Sequence, residues 1–151
     1  MLPELLPFEM ASLKDFALQT GLAMASGLCI GLERELKGKQ AGLKTNMLVA
    51  IGAAVFVAIS LRFRGEAEAD ITRVLSQVVI GVGFLGGGAI LQKSNKIEGL
   101  TTAATIWCSA GAGCLAAVSM FGELAFLTVL VVLINSVFGY IDKKIEENKT
   151  D

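Results

Sequence analysis

The chain has 151 residues, of which 54% are hydrophobic and 18% charged, and its formal net charge is −1. So small a body cannot hide this much apolar helix inside one water-soluble core, and the near-neutral charge gives no electrostatic reason to expect a nucleic-acid partner. The chain has no histidine, which excludes a His-ligated metal and removes the usual general base, so we do not expect an enzyme.

Five stretches between Asp15 and Asp142 contain no Asp, Glu, Lys or Arg. A bilayer core about 30 Å thick needs roughly 20 mostly apolar helical residues, and each stretch is near that length. The sequence therefore predicts a single-domain, all-α integral membrane protein, a bundle of five transmembrane helices. The predicted spans are about 13–33, 45–62, 74–92, 99–119 and 122–141.

Lysine and arginine are divided unequally between the two sides that five spans would define. Nine cations fall on one side: Arg34, Lys37, Lys39, Lys44, Lys93, Lys96, Lys143, Lys144 and Lys149. Four fall on the other: Lys14, Arg62, Arg64 and Arg73. Short loops rich in Lys and Arg stay in the cytoplasm, so we predict the N-terminus outside and the C-terminus inside.

The first helix carries small residues on one face and charges at its end. Gly27 and Gly31 lie four residues apart, which allows another helix to approach closely. Glu33 and Arg34 follow at the membrane edge, where charges are costly unless they are paired. Either they anchor the interface, or Glu33 turns into a polar cavity while Arg34 pairs with a carboxylate or phosphate. In the second case Glu33 could hold a hydrated Mg²⁺ ion, which needs only one or two carboxylates.

The third helix contains the densest glycine cluster of the chain. Its members are Gly81, Gly83, Gly86, Gly87 and Gly88. The spacing matches a dinucleotide-binding fingerprint literally, but no strand precedes it, so that interpretation is rejected. In a membrane helix such glycines indicate close packing of backbones, a local break that lines a polar cavity, or both. Gln77 would need a polar partner in lipid, so we expect it to face other helices.

Polar residues mark the starts of the third and fourth helices. Asp70 or Thr72 is expected to cap the third, and Asp70 and Arg73 are spaced for pairing. Thr101 or Thr102 is expected to cap the fourth, whose free N–H groups make a positive end. If that end met a broken third helix, the two would resemble the half-helix ion sites of transporters. A plain cap is the alternative.

Taken together, these motifs resemble the MgtC/SapB family of bacterial inner-membrane proteins. The motifs run in order as Gly31-Leu-Glu-Arg-Glu35, Ala41-Gly-Leu-Lys-Thr45, Arg73 with Gln77, the glycine cluster, and Gly99-Leu-Thr-Thr-Ala-Ala-Thr-Ile-Trp107. The resemblance extends from about Gly21 to Gly139. Lys44 stands where the family usually has Arg, and Gly87 where it usually has Ala.

The resemblance implies a multi-pass protein of the bacterial inner membrane that is associated with growth in low magnesium. For the family it also implies intracellular survival of pathogens and, in some members, modulation of the membrane ATP synthase. Many members carry a further C-terminal cytoplasmic domain, and this chain resembles the short form without it.

Two functional hypotheses follow. The first is a non-enzymatic membrane regulator in magnesium homeostasis that contacts another copy, or a membrane protein such as the ATP synthase, through its glycine-faced helices. The alternative is a small oligomeric transporter or channel for a cation such as Mg²⁺, with Glu33, Gln77, Thr101 and Thr102 around the pathway. Five helices make a thin wall, so a pore would need a dimer or a larger ring. Neither hypothesis requires a cofactor beyond a possible Mg²⁺ ion.

Overall fold

The computed structural model describes residues 6–63, 70–93 and 96–148. In these ranges the chain forms five helices and one small antiparallel hairpin. The elements in order are α1 (Leu6–Leu36), α2 (Leu43–Leu61), α3 (Ile71–Gly88), β1 (Leu91–Lys93), β2 (Lys96–Glu98), α4 (Leu100–Ala117) and α5 (Phe121–Glu147). The prediction of an all-helical architecture with five helices is confirmed.

Four helical segments in the described part of the chain are long and apolar enough to cross a membrane. They are Leu13–Leu36, Leu43–Leu61, Leu100–Ala117 and Phe121–Ile141. Helix α3 has 18 residues and is not among them. The chain is therefore a helical membrane protein, whereas five crossings and the orientation stay predictions. Arg64 and Lys149, which entered the charge count, lie outside the described residues.

Close packing of small residues places α2 between α1 and α4. A Cβ atom added at Gly27 would lie 2.6 Å from the backbone oxygen of Asn46. A Cβ at Gly113 of α4 would overlap the backbone oxygen of Ala50. The buried core beside these contacts is also rich in alanine: Ala23, Ala50, Ala54, Ala112, Ala116 and Ala117, with Val57 and Leu124. Small side chains let backbones approach closely, and this holds the three helices together.

Helix α3 runs without interruption through the glycine cluster to Gly88, so the local break, one of the alternatives for these glycines, does not occur. Each glycine lowers helix propensity by about 1 kcal/mol, but unlike proline it keeps its backbone donor, and the hydrogen-bond ladder continues. The helix ends four residues before the predicted boundary at Gln92. That residue belongs to the unpredicted hairpin, where it pairs with Ile97.

Candidate functional site

Glu33 lies in a buried polar cluster where the end of α1 meets α5. Its side chain is turned into the bundle, and the residue is only 9% exposed. Lys37, the first residue after α1, places its Nζ 2.7 Å from Glu33 Oε1 and donates to the backbone oxygen of Asn135 at 2.9 Å. The other carboxylate oxygen, Oε2, is buried and has no hydrogen-bond partner in the described structure. The partner of the inward-facing Glu33 is thus the lysine that directly follows its own helix.

Arg34 ties the loop after α1 to helix α4. The residue is 4% exposed, and its Nε and Nη2 donate to the backbone oxygen of Gln40 at 3.4 and 3.2 Å. Its Nη2 also donates to the hydroxyl of Thr102, which is buried. The guanidinium bridges a backbone carbonyl and a side-chain hydroxyl that is 68 residues away in sequence. The alternative in which Arg34 pairs with a carboxylate or phosphate stays a prediction.

Neither Thr101 nor Thr102 caps α4, so the prediction of a threonine cap for this helix is wrong. The N-cap is Gly99, which has a φ of +92° and forms no side-chain capping bond. A side chain at this position would overlap the backbone oxygen of Ala89 as well as adopt a strained backbone, so glycine is required. The chain enters α4 through this tight contact. The Thr102 hydroxyl then faces Arg34, and the exposed Thr101 accepts a hydrogen bond from Thr105 through its backbone oxygen.

Two further polar contacts extend the cluster across the bundle. The Asn135 side chain of α5 donates to the buried Thr105 hydroxyl at 3.3 Å, so Asn135 links α5 both to α4 and to Lys37 in the loop after α1. Ser26 of α1 shares a hydrogen bond of 2.6 Å with Thr128 of α5. Hydrogen bonds between membrane helices are worth about 0.6–2 kcal/mol each, which is enough to fix the relative register of the helices.

Sequence reasoning missed Asn46, which is 0% exposed at the start of α2. Its amide nitrogen donates to the backbone oxygens of Ala41 and Gly42, and its Oδ1 accepts from the Ser109 hydroxyl of α4 at 2.7 Å. An available signal was that Asn46 is the only amide side chain in the predicted second span. A buried amide needs partners, so it could have been assigned to a helix contact.

Gln77 and Gly81 lie away from this cluster, in an open groove between α2 and α3. The groove has a volume of about 490 Å³. Its walls come from Leu48 to Phe56 on α2 and from Val74 to Leu85 on α3. Of the residues predicted to form one polar site, Glu33, Arg34 and Thr102 therefore come together, and Gln77 does not join them.

Most of the α3 glycines do not pack against the rest of this chain. A Cβ at Gly86 would lie 3.5 Å from Ala103 of α4, an ordinary contact. At the other four, Gly81, Gly83, Gly87 and Gly88, an added Cβ would have no described atom within 4 Å. Close packing of backbones is therefore not seen at these four positions within the described chain, and packing of the cluster stays a prediction. Helix α3 packs along one edge only, which leaves Phe84 84% exposed.

Asp70 caps α3 as expected. Its Oδ1 accepts from the backbone N–H of Thr72 at 3.0 Å and from the Thr72 hydroxyl at 2.6 Å. The hydroxyl bond is the main cause that holds the pKa of the Asp70 carboxyl below its ordinary value, and electrostatic attraction to Arg73 is a smaller one. Such bonds favour the ionised form of the carboxyl.

Acidification should therefore loosen the first turn of α3. The pKa of Asp70 is lower in the folded protein than in the unfolded chain, where it is about 3.9. The cap therefore stabilises the start of α3 fully above that unfolded pKa, and this stabilisation is lost as the pH falls through the pKa of the folded protein. We expect amide hydrogen exchange at Thr72 to lose protection in that acidic range. The Asp70→Asn variant keeps an acceptor and should show no such pH step. An identical step in both proteins would contradict this assignment.

Among the described residues, no group of three or more Cys, Asp or Glu side chains is arranged to hold a metal ion. Glu33 remains the single-residue candidate for Mg²⁺ that the sequence indicated. Its Oε1 is already engaged by Lys37.

Comparison with known proteins places these features within one family. A family model described as the MgtC family matches residues 21–144, which include the polar cluster and the groove. The chain belongs to the MgtC family. Protein MgtC of Brucella abortus is 43% identical over 116 residues, 77% of this chain and 48% of that protein.

Other relatives give the same result. Protein MgtC of Salmonella typhimurium is 42% identical over 113 residues, 75% of this chain and 48% of that protein. An uncharacterized protein of Synechocystis is 42% identical over 118 residues, 78% of this chain and 50% of its own length. The chain thus spans about half the length of these curated relatives. No solved structure matches.

Proposed function

We propose that the chain is a non-enzymatic membrane regulator of the MgtC type, linked to magnesium homeostasis, that acts by contact with another transmembrane helix. The observation that carries this proposal is the open surface on α3 at Gly83 and Gly87. These two glycines lie four residues apart, the spacing that lets two membrane helices bring their backbones together. With 3.6 residues per turn, they lie roughly opposite Gly81 and Leu85 on α3. We call the surface around Gly83 and Gly87 the contact face.

The proposal has α3 cross the bacterial inner membrane with the other four helices. Its 18 residues rise about 27 Å, close to the roughly 30 Å of a bilayer core. Its exposed apolar side chains, among them Ile80 and Phe84, suit a lipid environment. Five crossings together with the uneven distribution of Lys and Arg support an external N-terminus and a cytoplasmic C-terminus.

Two kinds of partner suit the contact face. One is a second copy of the chain, which would pair the same face on both subunits about a two-fold axis and give a homodimer. The other is a different membrane protein, for which the family resemblance suggests the ATP synthase. Both would use the same close approach of helix backbones at Gly83 and Gly87.

Substituting both glycines tests the proposal. After chemical cross-linking in native membranes, the double variant Gly83→Leu with Gly87→Leu should capture about tenfold less partner than the parent protein, which corresponds to about 1.4 kcal/mol. Cells that carry the double variant should also fail to grow in low magnesium. The chain itself should still fold, because an added Cβ at either position would meet no described atom of another helix within 4 Å. Gly122→Leu on α5 is the matched control, since that glycine is equally open. Unchanged capture in the double variant, or equal loss in the control, would contradict the proposal.

One observation favours cation transport as a second candidate. Oε2 of Glu33 is buried without a hydrogen-bond partner in the described structure, so this oxygen is available to coordinate a cation. The Lys37 ammonium beside Oε1 already balances this carboxylate, which makes binding of a divalent cation less favourable. We therefore rank the regulator first. Magnesium flux into vesicles that contain only this protein would reverse the order.

A further inference from the structure

The groove between α2 and α3 owes its depth to two glycines. Gly52 and Gly81 line it from opposite walls, and an added Cβ at either position would have no described atom within 4 Å. The remaining lining is apolar apart from Gln77. The groove lies on the side of α3 opposite the contact face, so the two surfaces can be tested separately.

The length and lining of the groove suit an acyl chain. Its α3 wall from Val74 to Leu85 covers about 17 Å of helix axis at about 1.5 Å per residue. Along this length the lining is apolar except at Gln77, and an acyl chain is apolar throughout, so the two surfaces are compatible.

Two exposed arginines lie at one end of the groove, on either side of a connecting segment that also carries Glu66, Glu68 and Asp70 in its sequence. Helices α2 and α3 are consecutive and line the groove in opposite directions, so Phe56 and Val74 mark the end nearest their connection. Arg73 directly precedes Val74, and Arg62 follows α2 at the same end; both are exposed. The Asp70 carboxylate is also there, but it is engaged by Thr72. Guanidinium groups bind phosphate through paired hydrogen bonds, so these arginines can hold the headgroup of a phospholipid.

We propose that this groove binds one anionic phospholipid, with an acyl chain lying between α2 and α3 and the phosphate against Arg73 and Arg62. The Gln77 side chain, one turn along α3 from Arg73, supplies amide donors for the ester region of the lipid. The acyl chain can enter the groove at little cost, because the groove walls are as apolar as the surrounding lipid. The charges at the end select the headgroup.

Native mass spectrometry of the full chain, with added phosphatidylglycerol or phosphatidylcholine, tests the proposal. We expect one retained phosphatidylglycerol per chain and at least fivefold weaker retention of phosphatidylcholine. Gly81→Leu fills the groove and should lower retention at least tenfold. Gly122→Leu on α5 is the matched control, because it makes the same change at an equally open glycine that belongs to neither the groove nor the contact face.

Two more variants keep the result interpretable. Gly52→Leu fills the groove from α2 and should reproduce the effect of Gly81→Leu even if one of the two proteins folds poorly. Arg73→Gln leaves the groove open and should remove most of the preference for phosphatidylglycerol. Equal retention in Gly81→Leu and Gly122→Leu would overturn the proposal, as would equal binding of both lipids by the parent. A loss of dimer, rather than of lipid, in Gly81→Leu would assign the groove to a second copy and would equally overturn it.

Discussion

Replacing Gly113 with alanine should lower the free energy of unfolding by about 2 kcal/mol. The added Cβ would overlap the backbone oxygen of Ala50, so α2 and α4 would have to separate, and overpacking of this kind costs about 1–3 kcal/mol. Gly27→Ala should have a similar effect between α1 and α2, where the Cβ would meet the Asn46 oxygen at 2.6 Å. Reversible unfolding in mixed detergent micelles measures both variants.

Gly21→Ala provides the matched control on α1. Its added Cβ would have no described atom within 4 Å, and alanine is the better helix former by about 0.5–1 kcal/mol, so this variant should be neutral or slightly more stable. If all three variants changed stability equally, close backbone approach would not be what holds α2 between its neighbours.

The Arg34→Met variant should lose about 2–3 kcal/mol of stability. The buried Thr102 hydroxyl and the Gln40 carbonyl would lose their donor, and an unsatisfied buried polar group costs about 1–3 kcal/mol. Arg34→Lys should recover only part of this loss, because one ammonium cannot reproduce the fork of donors that a guanidinium offers.

A double-mutant cycle with Thr102→Val isolates the contact between α1 and α4. Direct interaction predicts that the double variant is more stable, by about 0.5–3 kcal/mol, than the sum of the two single losses would give. Additivity within about 0.5 kcal/mol would mean that Arg34 and Thr102 act independently, and would remove the Arg34 bridge from this account.

Local pattern was sufficient to predict the helices. The absence of charges over 17 or more residues marks each helical segment, and the spacing of Gly27 and Gly31 indicates a close approach that the structure places against the start of α2. The cap at Asp70 could also be predicted, because its partner Thr72 is two residues away. In each case the decisive interaction is local, or repeats along one helix.

Tertiary partners could not be predicted in the same way. The Arg34 guanidinium meets a hydroxyl of α4, and Asn46 meets Ser109, because of how the helices are arranged in space. The Gly81–Gly88 run shows the same limit: glycine spacing predicts that something can approach, but not whether it belongs to this chain. The hairpin of β1 and β2 was missed because three-residue strands leave too short a pattern.

Photocrosslinking in native membranes tests most directly the central claim that the contact face meets another protein helix. A photoreactive side chain would replace Ile80, which is exposed and shares the helix side of Gly83 and Gly87, or Phe126 of α5 as the exposed control. We predict a protein adduct of discrete mass from position 80 and lipid adducts alone from position 126. Lipid adducts alone from both positions would contradict the account.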